Sequence, residues 1–367
     1  MSSNIVGKSY LLMSLKTNKK QERFVMIEYT KLKEYKRQNL IDVIPLKKPF
    51  TLLIEPSNYC NFKCVSCFQS LKGDSYLTAH RGFMSMDTYK EIIRQFREWE
   101  GDKLKVLKLS LYGEPLTNPQ FGEMLRIAKE ADIAERIETT TNASLLTEEI
   151  CQQLVEYEID YIRVSIYGGN QKRYTEVTGS EKANIDEIWN NLKKIQELKK
   201  AAGKERPFVS AKMLDTYSDE NEEFLNRFSA VADEVYIDKP HNWVAIEEKS
   251  FINSLYNEAQ QEALQEDIMK TRSKRIACPM PFTTLAVRNN GDVSPCCVDW
   301  IGGTNLGNIH EENVADIWNG ENMYQFRKMQ LENRRCENSS CRNCELADND
   351  YYTRDNIDGF PVERLRG

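Results

Sequence analysis

The strongest constraint on the fold is an alternation of short apolar runs with helical patterns between residues 51 and 240. Successive strand–helix units predict a parallel sheet with right-handed crossovers. A partial or full α/β barrel and an open doubly wound sheet both fit, and both place ligands at the carboxyl ends of the strands. The predicted strands are 51–55, 104–110, 136–140, 160–166, 208–214 and 234–238. Helices are predicted at about 85–99, 119–131, 147–157, 184–200 and 218–232.

The chain changes character near residue 276, where prolines, glycines and cysteines become frequent. The segment "NNGD" at 289–292 predicts a tight hairpin between two short strands. We therefore expect five parts along the chain. They are an N-terminal extension (1–49), an α/β domain (50–240), a charged helical linker (241–275), a small cysteine-rich module (276–350) and a C-terminal tail (351–367).

Composition limits the partners and the compartment. The net charge is −6, which gives no overall basic surface for nucleic acid or an anionic membrane. No apolar run reaches the ~18 residues that span a bilayer, and the apolar run at 10–13 is too short for a signal peptide. We therefore expect a cytoplasmic protein with neither a nucleic-acid nor a membrane partner. Ten cysteines in a reducing compartment then favour metal ligation over disulfides.

Three of the cysteines lie together in "CNFKCVSC", directly after the first predicted strand. They are Cys60, Cys64 and Cys67, and the nearest histidine is His80. A structural zinc site normally has four protein ligands. Three thiolates on a [4Fe–4S] cluster leave one iron open to bind a substrate or cofactor. The alternative is a zinc site that a distant residue completes.

This loop resembles the cluster loop of the radical S-adenosylmethionine (SAM) enzymes. The resemblance implies a partial (β/α)6 barrel and a [4Fe–4S] cluster whose open iron binds the amino and carboxylate groups of SAM. It further implies oxidoreductase-type chemistry, in which one electron cleaves SAM and a 5′-deoxyadenosyl radical removes hydrogen from the substrate. The electron would come from a donor such as flavodoxin or ferredoxin.

The ends of the next three strands carry the same resemblance. "LYGEP" (111–115) stands where the family has a Gly-Gly-Glu segment, and "TTTNAS" (139–144) and "RVSIYG" (163–168) follow it. Two departures are Tyr112 in place of the first glycine and Ser66 where an aromatic residue often precedes the third cysteine. Thr, Asn and Ser at strand ends are otherwise common turn formers. The resemblance assigns the SAM contacts to Gly113, Glu114, Thr141, Asn142 and Ser165.

The cysteine-rich module resembles the SPASM/twitch extension that follows the barrel in many of these enzymes. "GDVSPCC" (291–297) and "CRNC" (341–344) carry the likeness. A cluster with four protein ligands has no open iron and suits electron transfer. Cys297 and Cys336 remain alternative ligands, and zinc on the same thiolates is an alternative metal. The resemblance implies one auxiliary [4Fe–4S] cluster on Cys278, Cys296, Cys341 and Cys344.

The substrate is expected inside the barrel mouth, near Lys212 on the fifth strand and His241 beyond the sixth. Either side chain is a candidate proton acceptor. We expect a small polar substrate, a sugar, aminocyclitol or related carbohydrate, that is dehydrogenated, epimerised or deoxygenated. The single auxiliary cluster and the shortness of residues 1–49 favour it over modification of a ribosomally made peptide by thioether crosslinking or epimerisation. A metal-binding scaffold without enzymatic activity is the third alternative.

Overall fold

Nine strands form a single sheet that organises the chain. The computed structural model describes residues 38–71, 75, 79–240, 255–271, 275–348 and 353–366. The sheet order is β6-β5-β4-β3-β2-β1-β7-β8-β9, parallel from β6 to β7 and antiparallel at β7–β8 and β8–β9. The strands are β1 (Thr51–Ile54), β2 (Val106–Leu109), β3 (Ile137–Thr141), β4 (Tyr161–Ser165), β5 (Phe208–Leu214), β6 (Glu234–Asp238), β7 (Thr284–Val287), β8 (Asp292–Ser294) and β9 (Gly307–Asn308).

Eleven α-helices occur in the described part of the chain. Local signals define their ends: the Ser85 hydroxyl accepts from the Thr88 amide at the start of α2, and Gly203, with φ 64°, ends α6. No described helix is long and apolar enough to cross a membrane. The helices are α1 (Leu40–Val43), α2 (Met86–Glu98), α3 (Phe121–Ala131), α4 (Glu148–Glu156), α5 (Gln171–Thr178), α6 (Ile185–Ala202), α7 (Glu220–Phe228), α8 (Glu258–Thr271), α9 (Met280–Thr283), α10 (Val314–Asn319) and α11 (Glu321–Leu331).

The two faces of the sheet differ in chemistry because side chains alternate along each strand. One face carries aliphatic residues that belong to the main hydrophobic core, among them Leu52, Ile54, Leu107, Leu109, Ile162 and Val164. Many of the alternate positions, mostly in β2 to β6, are polar. We call this second surface the polar face, and its members include Lys108, Glu138, Arg163, Ser210, Lys212 and Glu234.

The strand order decides between the two architectures that the sequence allowed. Strands β1 to β6 lie side by side in chain order, whereas a doubly wound sheet reverses direction after its first strands. The partial-barrel prediction is therefore confirmed, as are the six strands and the hairpin at "NNGD". Helix α5 was not predicted. Its ends are set by Asn170, whose side chain accepts from the Arg173 amide, and by Gly179 in the left-handed region.

The cysteine-rich segment is joined to the barrel through the sheet itself. Strand β7 pairs in parallel with β1, from Thr51 opposite Thr284 to Ile54 opposite Val287. The fully buried Trp318 adds a second connection, because its indole N–H donates to the Leu46 carbonyl at 2.8 Å. The first strand of the barrel thus lies between β2 and β7, and the cysteine loop leaves the sheet at this position.

Candidate cluster and cofactor site

The three-cysteine loop begins at the carboxyl end of β1 and is held by backbone contacts. Lys63 N–H donates to the Thr178 carbonyl at 3.0 Å, and Val65 N–H donates to the Val177 carbonyl at 2.9 Å, so the end of α5 fixes the loop. The amides of Phe62 and Gln69 donate to the sulfurs of Cys60 and Cys67, each at 3.5 Å. Amide hydrogen bonds to sulfur are among the interactions that tune iron–sulfur clusters.

Burial raises the pKa of all three thiols, to about 11 for Cys60 and about 12 for Cys67. At Cys64 the neighbouring thiols add to the effect of burial. A bound cation reverses this preference, because a coordinating thiol is deprotonated. The described residues contain no group of three His, Cys, Asp or Glu side chains arranged to hold a single metal ion. In a four-iron cluster each thiolate binds a different iron, and the influence of Cys60 and Cys67 on the pKa of Cys64 shows that the three thiols lie near one another.

Gly113 lets the loop after β2 pack against the chain that leads into the cysteine loop. A Cβ atom at this position would lie 2.4 Å from the Ser57 carbonyl oxygen and 2.5 Å from the Tyr59 carbonyl oxygen. The next amide, of Glu114, donates to that Tyr59 carbonyl at 2.8 Å. Any residue larger than glycine would therefore displace the backbone beside Cys60.

Glu114 connects the ends of β2 and β3. Its buried carboxylate accepts hydrogen bonds from the Thr141 hydroxyl at 2.6 Å, the Asn142 amide at 2.7 Å and the Leu116 amide at 3.2 Å. Burial raises the pKa of Glu114 to about 7. The carboxylate thus has an internal structural role, and its predicted contact with SAM stays a prediction.

Asn142 carries this network to the cysteine loop. Its side-chain amide donates to the Asn61 oxygen at 2.9 Å, and Asn61 in turn donates to the Ser144 hydroxyl at 2.8 Å. The structure therefore brings four predicted SAM contacts, at 113, 114, 141 and 142, together beside Cys60. The sequence analysis missed Asn61, although its position between Cys60 and Cys64 was a usable signal.

Ser165 and Lys212 are cross-strand neighbours at the ends of β4 and β5. The Lys212 ammonium lies 2.6 Å from the Asp238 carboxylate; burial lowers the pKa of Lys212 and Asp238 opposes that change. The sequence analysis did not single out Tyr167 as a residue of the site. Burial and the nearby thiols of Cys64 and Cys67 raise the pKa of its hydroxyl, which forms a hydrogen bond with the Ser165 side chain. His241, the other predicted proton acceptor, lies outside the described residues.

A second group of cysteines lines a cavity in the C-terminal region. Burial raises the pKa of Cys278 and Cys341 to about 12. Two hydrogen bonds reach the sulfurs, from the Val298 amide to Cys296 and from the Gln330 side chain to Cys341, each at 3.5 Å. The cavity wall includes all four predicted ligands, Cys278, Cys296, Cys341 and Cys344.

The three remaining cysteines lie elsewhere. Cys297 is not among the residues that line the cavity. Burial raises the pKa of its thiol, and the charges of Lys108 and Arg163 oppose that rise. Because both of these cations belong to the polar face, Cys297 lies beside that face. Cys336 is exposed, and Cys151 is buried on α4. Adjacent residues of the "PCC" segment therefore point to different surroundings, and this placement supports Cys296 as the ligand.

An aromatic contact joins the two cysteine regions. Phe68, next to Cys67, stacks on Trp300 with ring centroids 5.4 Å apart and an interplanar angle of 12°. Tyr112 meets the Phe68 ring edge-on at 5.7 Å. The chain after the first cysteine loop therefore packs directly against the chain that follows Cys297.

The fold is a partial α/β barrel with two groups of cysteines, and the family comparisons identify the class of protein to which it belongs. Residues 54–208 match the profile of the Radical SAM superfamily, and residues 278–345 match an iron–sulfur cluster-binding domain, SPASM. The chain is a radical SAM enzyme of oxidoreductase type with a C-terminal SPASM domain, as the sequence motifs indicated. Membership implies iron–sulfur clusters and SAM as cofactors.

Two curated proteins are similar over most of the chain. One is the tungsten-containing aldehyde ferredoxin oxidoreductase cofactor-modifying protein of Pyrococcus furiosus, 24% identical over 81% of this chain and 87% of the relative. The other is the SAM-dependent 2-deoxy-scyllo-inosamine dehydrogenase of Niallia circulans, 21% identical over 82% and 94%.

A solved structure shows the same fold. The crystal structure of Streptococcus suis SuiB bound to its precursor peptide SuiA has a TM-score of 0.59 at 20% sequence identity. The match covers 84% of this chain and 72% of SuiB. At this identity the likeness concerns the architecture alone, and it supports the assignment of the partial barrel with its C-terminal extension.

Proposed function

We propose that this enzyme uses SAM to remove a hydrogen atom from a small polar substrate, a sugar, aminocyclitol or related carbohydrate. The net reaction would be a dehydrogenation, an epimerisation or a deoxygenation. The observation that carries the use of SAM is the three-cysteine loop at the carboxyl end of β1, packed against Gly113. The names of both curated relatives refer to a small molecule, a cofactor in one and an aminocyclitol in the other.

In this proposal Cys60, Cys64 and Cys67 hold a [4Fe–4S] cluster. When bound, the cluster and SAM would together supply the chemistry that removes a hydrogen atom from the substrate. The protein positions the cofactor. Gly113 permits the close approach of the two loops, and Asn142 ties the β3 end to the cysteine loop. The segments around 113–114, 141–142 and 165 would then contact SAM.

A second [4Fe–4S] cluster would be held by Cys278, Cys296, Cys341 and Cys344. Support for this ligand set comes from the cavity, whose wall contains these four thiols. Complete protein ligation suits a site that accepts or passes an electron. The first electron would come from a partner such as flavodoxin or ferredoxin. We also propose the boundaries 50–240 for the barrel and 276–350 for the auxiliary domain.

A dehydrogenation also requires a base for the hydroxyl proton. Lys212 is one candidate: burial lowers its pKa, the Asp238 carboxylate opposes that change, and the contact of 2.6 Å with Asp238 positions Nζ. His241 is the second candidate. The alternative substrate, a ribosomally made peptide, is suggested by the SuiB complex, whose likeness to this chain concerns the fold.

The test is anaerobic reconstitution with iron and sulfide, followed by reduction in the presence of SAM. The proposal predicts 5′-deoxyadenosine, and an iron content that corresponds to two four-iron clusters. Deuterated sugars and aminocyclitols should transfer deuterium into 5′-deoxyadenosine if the substrate class is right. Purified protein with zinc on the N-terminal thiols and no SAM cleavage would refute the proposal.

A further inference from the structure

The polar face carries two cationic side chains that the described protein leaves without an anionic partner. Lys108 makes no hydrogen bond or ion pair with the described residues, although it lies deep enough that burial and the charge of Arg163 lower its pKa to about 8. The Nε atom of Arg163 is buried and has no acceptor among the described residues. Buried donors without partners are uncommon in folded proteins and call for an explanation.

Strand register places these two groups over one patch of the sheet. Lys108 on β2 is opposite Glu138 on β3, and Glu138 is opposite Tyr161 on β4, two residues before Arg163. Two inter-strand steps of ~4.8 Å and two residues of ~3.3 Å along the strand together correspond to roughly 12 Å. Lysine and arginine side chains are long enough to bring their charged ends to a common ligand across that distance.

The carboxylates of the same face are already occupied. Glu138 forms an ion pair with Arg136, Glu234 accepts from the Ser210 hydroxyl at 2.5 Å, and Asp238 pairs with Lys212 at 2.6 Å. These acids therefore have nearer partners than Lys108 and the Nε of Arg163. The Thr140 hydroxyl, opposite Arg163 in the register, is another buried group without a partner among the described residues.

This patch borders both cysteine sites. Cys297 lies close enough to Lys108 for its thiol to influence the pKa of the ammonium, and it also influences the pKa of Cys344 in the auxiliary cavity. On the other side, Lys212 connects the patch to Ser165 at the end of β4. A ligand held at the patch would therefore sit between the SAM site and the auxiliary cavity.

We infer that Lys108 and Arg163 bind an anionic group of the substrate, either a carboxylate or a phosphate, on the polar face. The inference rests on the proposed function, because it narrows the small polar substrate to one that carries a negative charge. A desolvated ammonium gains most from an anion, and the guanidinium offers a planar set of donors that matches carboxylate and phosphate oxygens. With an uncharged sugar, Glu138, which already forms an ion pair with Arg136, would be the carboxylate whose charge acts on both cations.

The test measures anion binding separately from SAM cleavage. Cluster-loaded enzyme with SAM bound is titrated calorimetrically, without oxygen, with inorganic phosphate in one arm and acetate in the other. The inference predicts one saturable site for at least one anion. Lys108→Gln and Arg163→Gln should each weaken it ~10- to 100-fold, as expected for loss of a charge-assisted hydrogen bond. Lys108→Arg keeps the charge and should restore most of the affinity.

Lys105→Gln is the matched control, because Lys105 is exposed just before β2 and pairs with Glu135. It should bind the anion with the same affinity as the wild type.

Binding of phosphate alone would indicate a phosphorylated substrate, and binding of acetate alone would indicate a substrate with a carboxylate. Absence of a saturable site, or wild-type affinity in both Lys108→Gln and Arg163→Gln, would overturn the inference even if 5′-deoxyadenosine forms. Anion binding without any 5′-deoxyadenosine would instead refute the proposed function.

Discussion

The two cysteine regions differ in how the chain brings their thiols together. The first places three thiols within eight consecutive residues, on a loop that leaves the sheet next to the end of β2. The second collects four thiols from segments that extend from 278 to 344 around a cavity. In the proposed function, the loop with three thiolate ligands leaves a position for a cofactor, whereas four ligands from separate segments surround the auxiliary cluster. Ligand count and chain connectivity would then distinguish the two chemical roles.

Alanine variants of the two regions should differ most in SAM cleavage. Cys60→Ala removes a ligand of the SAM-binding cluster, so we expect at least a ~100-fold loss of 5′-deoxyadenosine, more than losses caused by outer-shell changes around metals. Cys341→Ala should lose iron yet retain much of the SAM cleavage, with loss of substrate product. Liquid chromatography of 5′-deoxyadenosine and iron analysis would measure both effects.

Cys336→Ala controls for the loss of a thiol as such, because Cys336 is exposed and does not line the cavity. It should match wild type in iron content and in SAM cleavage. Equal losses of 5′-deoxyadenosine in the Cys60 and Cys341 variants would show that the two regions do not have separate roles.

Gly113→Ala tests the close approach that supports the first region. The added Cβ would meet backbone oxygens at 2.4 and 2.5 Å, so the variant should lose about 3 kcal/mol of unfolding free energy, the upper end of the overpacking range. Anaerobic urea unfolding would measure this loss. At Gly82 the nearest atom is the flexible side-chain nitrogen of Asn289 at 3.1 Å, so Gly82→Ala should cost much less. Similar losses at both positions would contradict the packing argument.

Glu55 gives the junction of β1 with the C-terminal segment a pH dependence. Burial raises its pKa from 4.5 to about 7, although its carboxylate accepts from the Asn289 amide at 3.0 Å. Between these values the folded state holds the extra proton, so the unfolding free energy falls as the pH rises. The Glu55→Gln variant cannot ionise at this position. The decrease in its unfolding free energy between pH 4.5 and 7 should therefore be about 2 kcal/mol smaller than the decrease in the wild type.

Urea unfolding at several pH values would measure that difference. Glu98→Gln, on the exposed surface of α2, should leave the wild-type pH dependence unchanged. An unaltered slope in Glu55→Gln would show that another group controls the stability in this pH window.

The smallest predicted effect concerns the contact that joins the two regions. A double-mutant cycle with Phe68→Leu and Trp300→Leu should give a coupling energy of about 1 kcal/mol, as for other stacked aromatic pairs. Unfolding free energies of the four proteins provide the measurement. Phe68→Leu combined with Phe228→Leu, on α7, should be additive; additivity for Phe68 and Trp300 would mean that the stacking does not couple the regions energetically.

Local patterns predicted the barrel well. Strands β1 to β6 were found within a few residues, because each is a short apolar run bounded by turn residues. Helix α5 escaped prediction, since its eight residues lack a clear apolar period and depend on Asn170 and Gly179 at their ends. The parallel pairing of β7 with β1 could not be predicted, because four residues specify no distant partner.

The candidate site likewise combines features that the sequence predicts with features that it does not. The spacing of Cys60, Cys64 and Cys67 is visible in one line of sequence, and so is the reason to expect a cluster there. The hydrogen bond from Thr141 to Glu114 depends on how two loops meet in space. The choice between Cys296 and Cys297 depends on the direction of neighbouring side chains, which residue type alone does not determine.

The position of β7 has a consequence for how the enzyme is made. Ribosomes complete β1 early, but the strand that covers its second edge is synthesised near the end of the chain. Until then β1 is an open edge, a known template for unwanted pairing between chains. The edge of β1 is therefore covered only after β7 has been synthesised, and expression of the barrel without residues 284–287 should favour aggregation.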